Sequence, residues 1–213
     1  MPYLPNLASP SKTIWRLSVK ALQSELERCD RLGIPYIVTH LGSHMGAGME
    51  VGFDRLIGGI NQSLDADHGR TVVLLEIMAG QKNSMGSRFE DIQTIRSGVS
   101  RRERVGVCFD TAHAYAAGYD LRTEGGLNKT VEQFDRIIGL SNLKIVHIND
   151  SAVSIGSRRD LHEHVGRGYI GEKGFRLFFH HPSLRELPMI LETPLEKPGD
   201  DVRNLARVRK LAA

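Results

Sequence analysis

Apolar positions along the chain fall into two alternating patterns. From Ser11 to Leu32 they recur with helical spacing, and Gly33 follows as a natural stop. Pro35 to His40 is then apolar and partly β-branched, which predicts a strand. The alternation continues with helices predicted over Phe53–Leu64, Arg88–Ile95, Thr130–Ile138, Phe175–Phe179 and Asp201–Leu211. Strands are predicted between them, over Thr71–Glu76, Arg104–Asp110, Leu143–Ile148 and Pro188–Glu192, with a short one at Tyr3–Leu7 ahead of the first helix. The strands are continuous apolar runs, so each is expected in a parallel sheet covered by helices.

This alternation makes the chain α/β, with a (β/α)8 TIM barrel as the leading architecture. About six of the eight strand–helix units of a closed barrel can be counted. The reading is therefore a single TIM-barrel-type domain over residues 1–213 without its first two β/α units, which are expected upstream of Met1. An open doubly wound sheet would carry a glycine-rich phosphate loop after its first strand. Here Ala8-Ser9-Pro10-Ser11 stands there instead.

Composition narrows the class. The 213 residues are 40% hydrophobic and 25% charged, as in ordinary globular proteins, and no apolar run is long enough to span a bilayer. A net charge of +3 permits nucleic-acid binding without arguing strongly for it. The two cysteines, Cys29 on a predicted helix and Cys108 in a predicted strand, lack CxxC spacing; a reducing cytoplasm is expected. Arg101-Arg102-Glu103-Arg104 reads as a solvated turn.

The strand ends carry the chemistry. They are His40, Glu76, Asp110, His147 and Glu192. In a parallel barrel such ends share one rim, and carboxylates crowded there raise each other's pKa unless a cation relieves them. His113 follows Asp110 by one helical turn, and Asp160 and His162, two apart, point the same way from an extended segment. Mixed nitrogen and oxygen donors suit zinc, or manganese or iron, better than magnesium or calcium. This donor set exceeds the needs of one tetrahedral ion, and multinuclear sites of this kind hydrolyse phosphodiesters. Any one of these residues alone is more often a cap or a core group; only the set points to a metal centre. His44 and His164 are expected to support ligands at most, and His68, His180 and His181 to be solvated.

Several segments resemble the endonuclease IV family: Tyr3-Leu4-Pro5-Asn6-Leu7, His40-Leu41-Gly42-Ser43-His44, Glu76 with Ala79-Gly80-Gln81, and Val107-Cys108-Phe109-Asp110-Thr111-Ala112-His113. So do Ala117-Gly118-Tyr119-Asp120, His147-Ile148-Asn149-Asp150, Gly156-Ser157-Arg158 with Asp160 and His162, and Leu191-Glu192-Thr193. The resemblance implies a TIM barrel with a trinuclear zinc site that cuts double-stranded DNA on the 5′ side of abasic sites, leaving a 3′-hydroxyl, in base-excision repair. It implies Glu76 as a carboxylate bridging two zincs, with His40 beside it on the first. Asp110, His147 and Glu192 would serve the second zinc, and His113, Asp160 and His162 the third. Glu76 and Glu192 are the expected catalytic carboxylates, and Tyr3 and Leu4 the expected DNA-inserting residues of a monomeric enzyme. The sequence departs from the family at Leu41 (usually proline), Lys82 (usually glycine), Leu161 (usually arginine) and Arg167 (usually glutamate). A further zinc-binding histidine of the family would fall three positions before Tyr3. Two rivals remain: a single-metal sugar isomerase or epimerase on a related barrel, using Glu76, Asp110, His147 and Glu192, and a non-catalytic remnant.

Overall fold

Ser11 opens the first helix by accepting a hydrogen bond from Ile14 N, and Gly33 ends it in the left-handed region at φ 69°. This is α1, Lys12–Leu32, in a computed structural model that describes residues 5–213. The elements that follow are β1 (Tyr36–Thr39), α2 (Met49–Asp65), β2 (Val72–Glu76), α3 (Phe89–Gly98), β3 (Val105–Asp110) and α4 (Thr111–Ala117). Beyond them lie α5 (Glu124–Ile137), β4 (Leu143–His147), β5 (Asp150–Ser151), β6 (His162–Glu163), α6 (Gly171–His180), β7 (Met189–Ile190) and α7 (Asp200–Ala212). The described residues cluster into two compact units, divided within β3: residues 5–78 with 82–108, and residues 79–81 with 109–213.

In the first unit β1, β2 and β3 are parallel, with Val38 opposite Leu74 and Glu76 opposite Cys108. Val73, Leu74 and Leu75 are fully buried, which is why β2 reads as an unbroken apolar run. The apolar stripe of α1 (Val19, Leu22, Leu26) and that of α2 (Leu56, Ile60, Leu64) are also buried, and the two helices pack together. Trp15 Nε1 donates to Arg55 O at 2.7 Å, and Gly59 gives the close approach: a Cβ there would stand 2.9 Å from Leu7.

In the second unit β4 and β7 are parallel, with His147 opposite Ile190. Its core is aromatic. Phe109 meets Phe134 edge-on at 6.3 Å and Phe178 at 6.2 Å, and Phe175 stacks on Phe179 at 5.9 Å.

Two sequence expectations need correction. The described part of the strand expected at Tyr3–Leu7 belongs to no strand, and Leu7 lies in a turn. Asn6 turns the chain there, accepting from Ala8 N through Oδ1 and from Ser9 N through its carbonyl. The run Arg101–Arg104 is not a solvated turn. Arg104 is 6% exposed, pairs with Asp67 at 2.6 Å and donates to the carbonyls of Gly69 and Thr71. Arg101 caps the carbonyls of Leu64 and Asp67. Guanidiniums suit this work because their several donors can satisfy carbonyls clustered at a helix end.

Candidate metal centre

Strands β1 to β4 each deliver a polar side chain at or just beyond the C-terminal end. In the first unit Glu76 closes β2 and His40 follows β1 directly. Glu76 is buried, and its Oε2 lies 3.2 Å from His40 Nε2. The loop after His40 is clamped by Asn6, which accepts from Ser43 N and donates to Ser43 O. Gly42, at φ 75°, is required there, because a Cβ would collide with the Asn6 side chain. His44 accepts from Gly48 N through Nδ1, so it braces this loop.

The second unit holds a larger group. Asp110 ends β3 and caps α4, its Oδ1 accepting from His113 N at 2.8 Å. One helical turn thus sets His113 beside Asp110, both fully buried. His147 ends β4, with its Nδ1 2.9 Å from Glu192 Oε2 and 3.9 Å from Asp110 Oδ2. The β5–β6 hairpin brings Asp160 and His162 to the same group. His113 Nε2 stands 3.0 Å from Asp160 Oδ1 and 3.3 Å from His162 Nε2, and His162 Nε2 stands 3.4 Å from Asp160 Oδ1. The ligand-capable atoms of Asp110, His113 and His162 all lie within 4.8 Å of one another.

The spacing of the trio His113, Asp160 and His162 can be tested against an ion. Donors about 2.0–2.1 Å from a tetrahedral zinc stand about 3.3 Å apart. The observed separations of 3.0, 3.3 and 3.4 Å match. Two imidazole Nε2 atoms facing one another can share at most one hydrogen, whereas both can direct a lone pair at a cation. The donor chemistry, two imidazoles and a carboxylate, is that of zinc, manganese or iron.

Asn149 holds this group in place, a role the sequence did not disclose. Fully buried, it donates from Nδ2 to Asp110 Oδ2 at 2.6 Å and accepts from Glu192 N at 2.9 Å. Thr111 completes the brace, its hydroxyl bonding the carbonyls of His147 and Asn149. The Nδ1 of His162 lies 3.1 Å from Glu192 O, a contact that fixes the ring with Nε2 toward the trio. A buried amide two residues after a candidate ligand was the available signal.

The remaining residues lie apart from this group or outside the described residues. His164 faces Asn204 at 2.9 Å, and His180 contacts the carbonyl of Arg176. Tyr3 and Leu4 lie outside the described residues. Cys29 and Cys108 are both buried. Among the described residues, no helix is long and apolar enough to cross a membrane.

Known proteins place this arrangement. Residues 1–211 match the family described as the xylose isomerase-like TIM barrel. A probable endonuclease 4 of Methanoculleus marisnigri is 51% identical over the whole chain, which spans 76% of that protein. One from Cenarchaeum symbiosum is 48% identical, again over the whole chain and 75% of its own length. The crystal structure of endonuclease IV from Thermus thermophilus superposes with a TM-score of 0.84 at 36% identity, covering 98% of this chain and 72% of that one. The chain therefore belongs to the endonuclease IV family of hydrolases, built on the xylose isomerase-like TIM barrel.

Proposed function

We propose that the chain is a zinc-dependent endonuclease that cuts double-stranded DNA 5′ to abasic sites and leaves a 3′-hydroxyl, acting as a monomer in cytoplasmic base-excision repair. The observation that carries this reading is the convergence of His113, Asp160 and His162 at tetrahedral ligand spacing. A sugar isomerase on a related barrel needs one metal and gives no role to that trio. The resemblance to endonuclease IV supports the DNA substrate and the abasic site.

The residues divide the work as follows. His40 and Glu76 are proposed to hold one zinc, Asp110, His147 and Glu192 a second, and His113, Asp160 and His162 a third. Bound zinc supplies the Lewis acidity that makes water nucleophilic near neutral pH and offsets charge on the phosphodiester oxygens. Asn149 keeps the Asp110 carboxylate turned to its task and tethers the backbone at Glu192. Glu76, buried at a strand end, and Glu192, at the solvent boundary, are the proposed catalytic carboxylates. Tyr3 and Leu4 are proposed to enter the DNA stack beside the flipped abasic nucleotide.

The test is metal counting joined to activity. Native mass spectrometry of the zinc-reconstituted chain is expected to show more than one zinc, and chelation to abolish incision of an abasic duplex until zinc is returned. A single bound metal with turnover of a ketohexose would support the isomerase reading instead.

A further inference from the structure

The segment from Asp150 to Gly171 leaves the end of β4, carries Asp160 and His162, and returns to the start of α6. Its two ends are fastened to one buried carboxylate. Asp150 is fully buried and accepts four backbone N–H groups: Ser151 at 2.8 Å, Gly168 at 2.9 Å, Ile170 at 2.9 Å and Gly171 at 3.2 Å. Two of these donors lie at the first residue of α6 and the residue before it, groups that a helix cannot satisfy internally. Burial pushes the Asp150 carboxyl above the ordinary carboxylate range, against the pull of these donors. Gly168 permits the closure: a Cβ there would stand 2.3 Å from Ser151 O and 2.6 Å from Asp150 Oδ1.

This cage lies next to the trio in the β-ladder. Ser151, whose N–H bonds Asp150, is the register partner of His162, and Asp150 is the partner of Glu163. Ala152 N donates to Leu161 O between the two ligands, and Tyr169 N donates to Ser151 O. Farther along, Gly156 N and Arg158 N donate to the carbonyls of Tyr115 and Ala116 in α4, the helix that carries His113. Asp150 makes none of the close contacts of the trio itself. It fixes the frame on which two of the three side chains stand.

We propose that Asp150 is a positioning residue for one metal only, the one held by His113, Asp160 and His162. This rests on the reading of that trio as a metal site. Asp150→Asn keeps the size and loses the charge, and its amide nitrogen meets N–H donors that it cannot accept. The hairpin is then free to shift, while the side chains of Asp110, His147 and Glu192 keep contacts that involve neither Asp150 nor the hairpin. Loss of supporting bonds around metal ligands typically weakens metal binding about 10–100-fold.

The experiment counts zinc by native mass spectrometry and titrates cobalt by visible absorption, for the wild type, His113→Ala, Asp150→Asn and Gly168→Ala. His113→Ala defines the loss of the trio's metal. Asp150→Asn is expected to match it, with the same equivalent weakened about 10–100-fold and the others retained. Gly168→Ala forces the cage apart from its other side and is expected to act in the same direction, so the proposal stays testable if Asp150→Asn does not fold. A wild-type metal complement with wild-type affinities in both folded variants would overturn the proposal alone. A wild type that binds no metal lost in His113→Ala would overturn both the proposal and the reading beneath it.

Discussion

Asn149 donates from Nδ2 to Oδ2 of Asp110 across 2.6 Å, with both side chains fully buried. The same amide accepts from Glu192 N, so one side chain braces two candidate ligands. Asn149→Ala is expected to weaken zinc binding by about 10–100-fold, the usual cost of losing a partner behind a ligand. Competition with a chromophoric chelator measures this. Unchanged affinity in a folded variant would show that Asp110 orients itself without the amide.

Lys82 occupies the left-handed region at φ 47°, at a position where a glycine is usual in the family. A side chain there costs about 1–2 kcal/mol, while a glycine gives back about 0.4–1 kcal/mol through the freedom of the unfolded chain. Lys82→Gly is therefore expected to stabilise the protein by about 0.5–1 kcal/mol, raising Tm by roughly 2 °C at this chain length. Lys82→Ala removes the charge and keeps the strain, and should not produce the gain. Equal effects from the two variants in thermal melts would assign the effect to charge.

Asp30, near the end of α1, accepts Arg70 N, Thr71 N and the Thr71 hydroxyl, tying the helix to the entry of β2. Burial alone raises its carboxyl; the hydrogen bonds from Thr71 and Arg70 outweigh that and hold it below the ordinary value. A depressed pKa means that the folded state favours the charged form. Its stabilisation is complete above the unfolded value of about 3.9, and is lost as pH falls through the lower folded pKa. Asp30→Ala is expected to cost about 1–2 kcal/mol at neutral pH. The gap to the wild type should close under acid, as urea midpoints across pH will record. A gap independent of pH would assign the loss to packing.

The sequence disclosed most of the strands because each is an apolar run with a polar residue at its end. Val72 to Glu76 and Val105 to Asp110 match their expected spans to within a residue. Helix starts were less legible. The expected Thr130 start lies well inside α5, which Thr123 opens by accepting from Gly126 N, because Gly125 and Gly126 dilute the helical pattern there. The strand expected at Tyr3–Leu7 was mistaken over its described part because Asn6 spends its side chain on turning the chain. The frames behind the candidate ligands were least legible. Asp150 takes three of its four donors from residues 168–171, and Asn149 reaches back to Asp110 and on to Glu192. Such partners are fixed by tertiary structure and leave no local pattern. Candidates such as Glu76, Asp110 and His147, by contrast, stand where strands end, and strand ends are local features.

The decisive measurement is incision of a duplex carrying one abasic site, with zinc present and salt low, because phosphate contacts weaken steeply with salt. Cleavage is expected at the abasic site alone, with a 3′-hydroxyl on the upstream product, and is expected to be lost in Glu76→Gln. An intact duplex after incubation with folded, zinc-loaded protein would contradict the proposed function, as would cleavage that Glu76→Gln leaves unchanged.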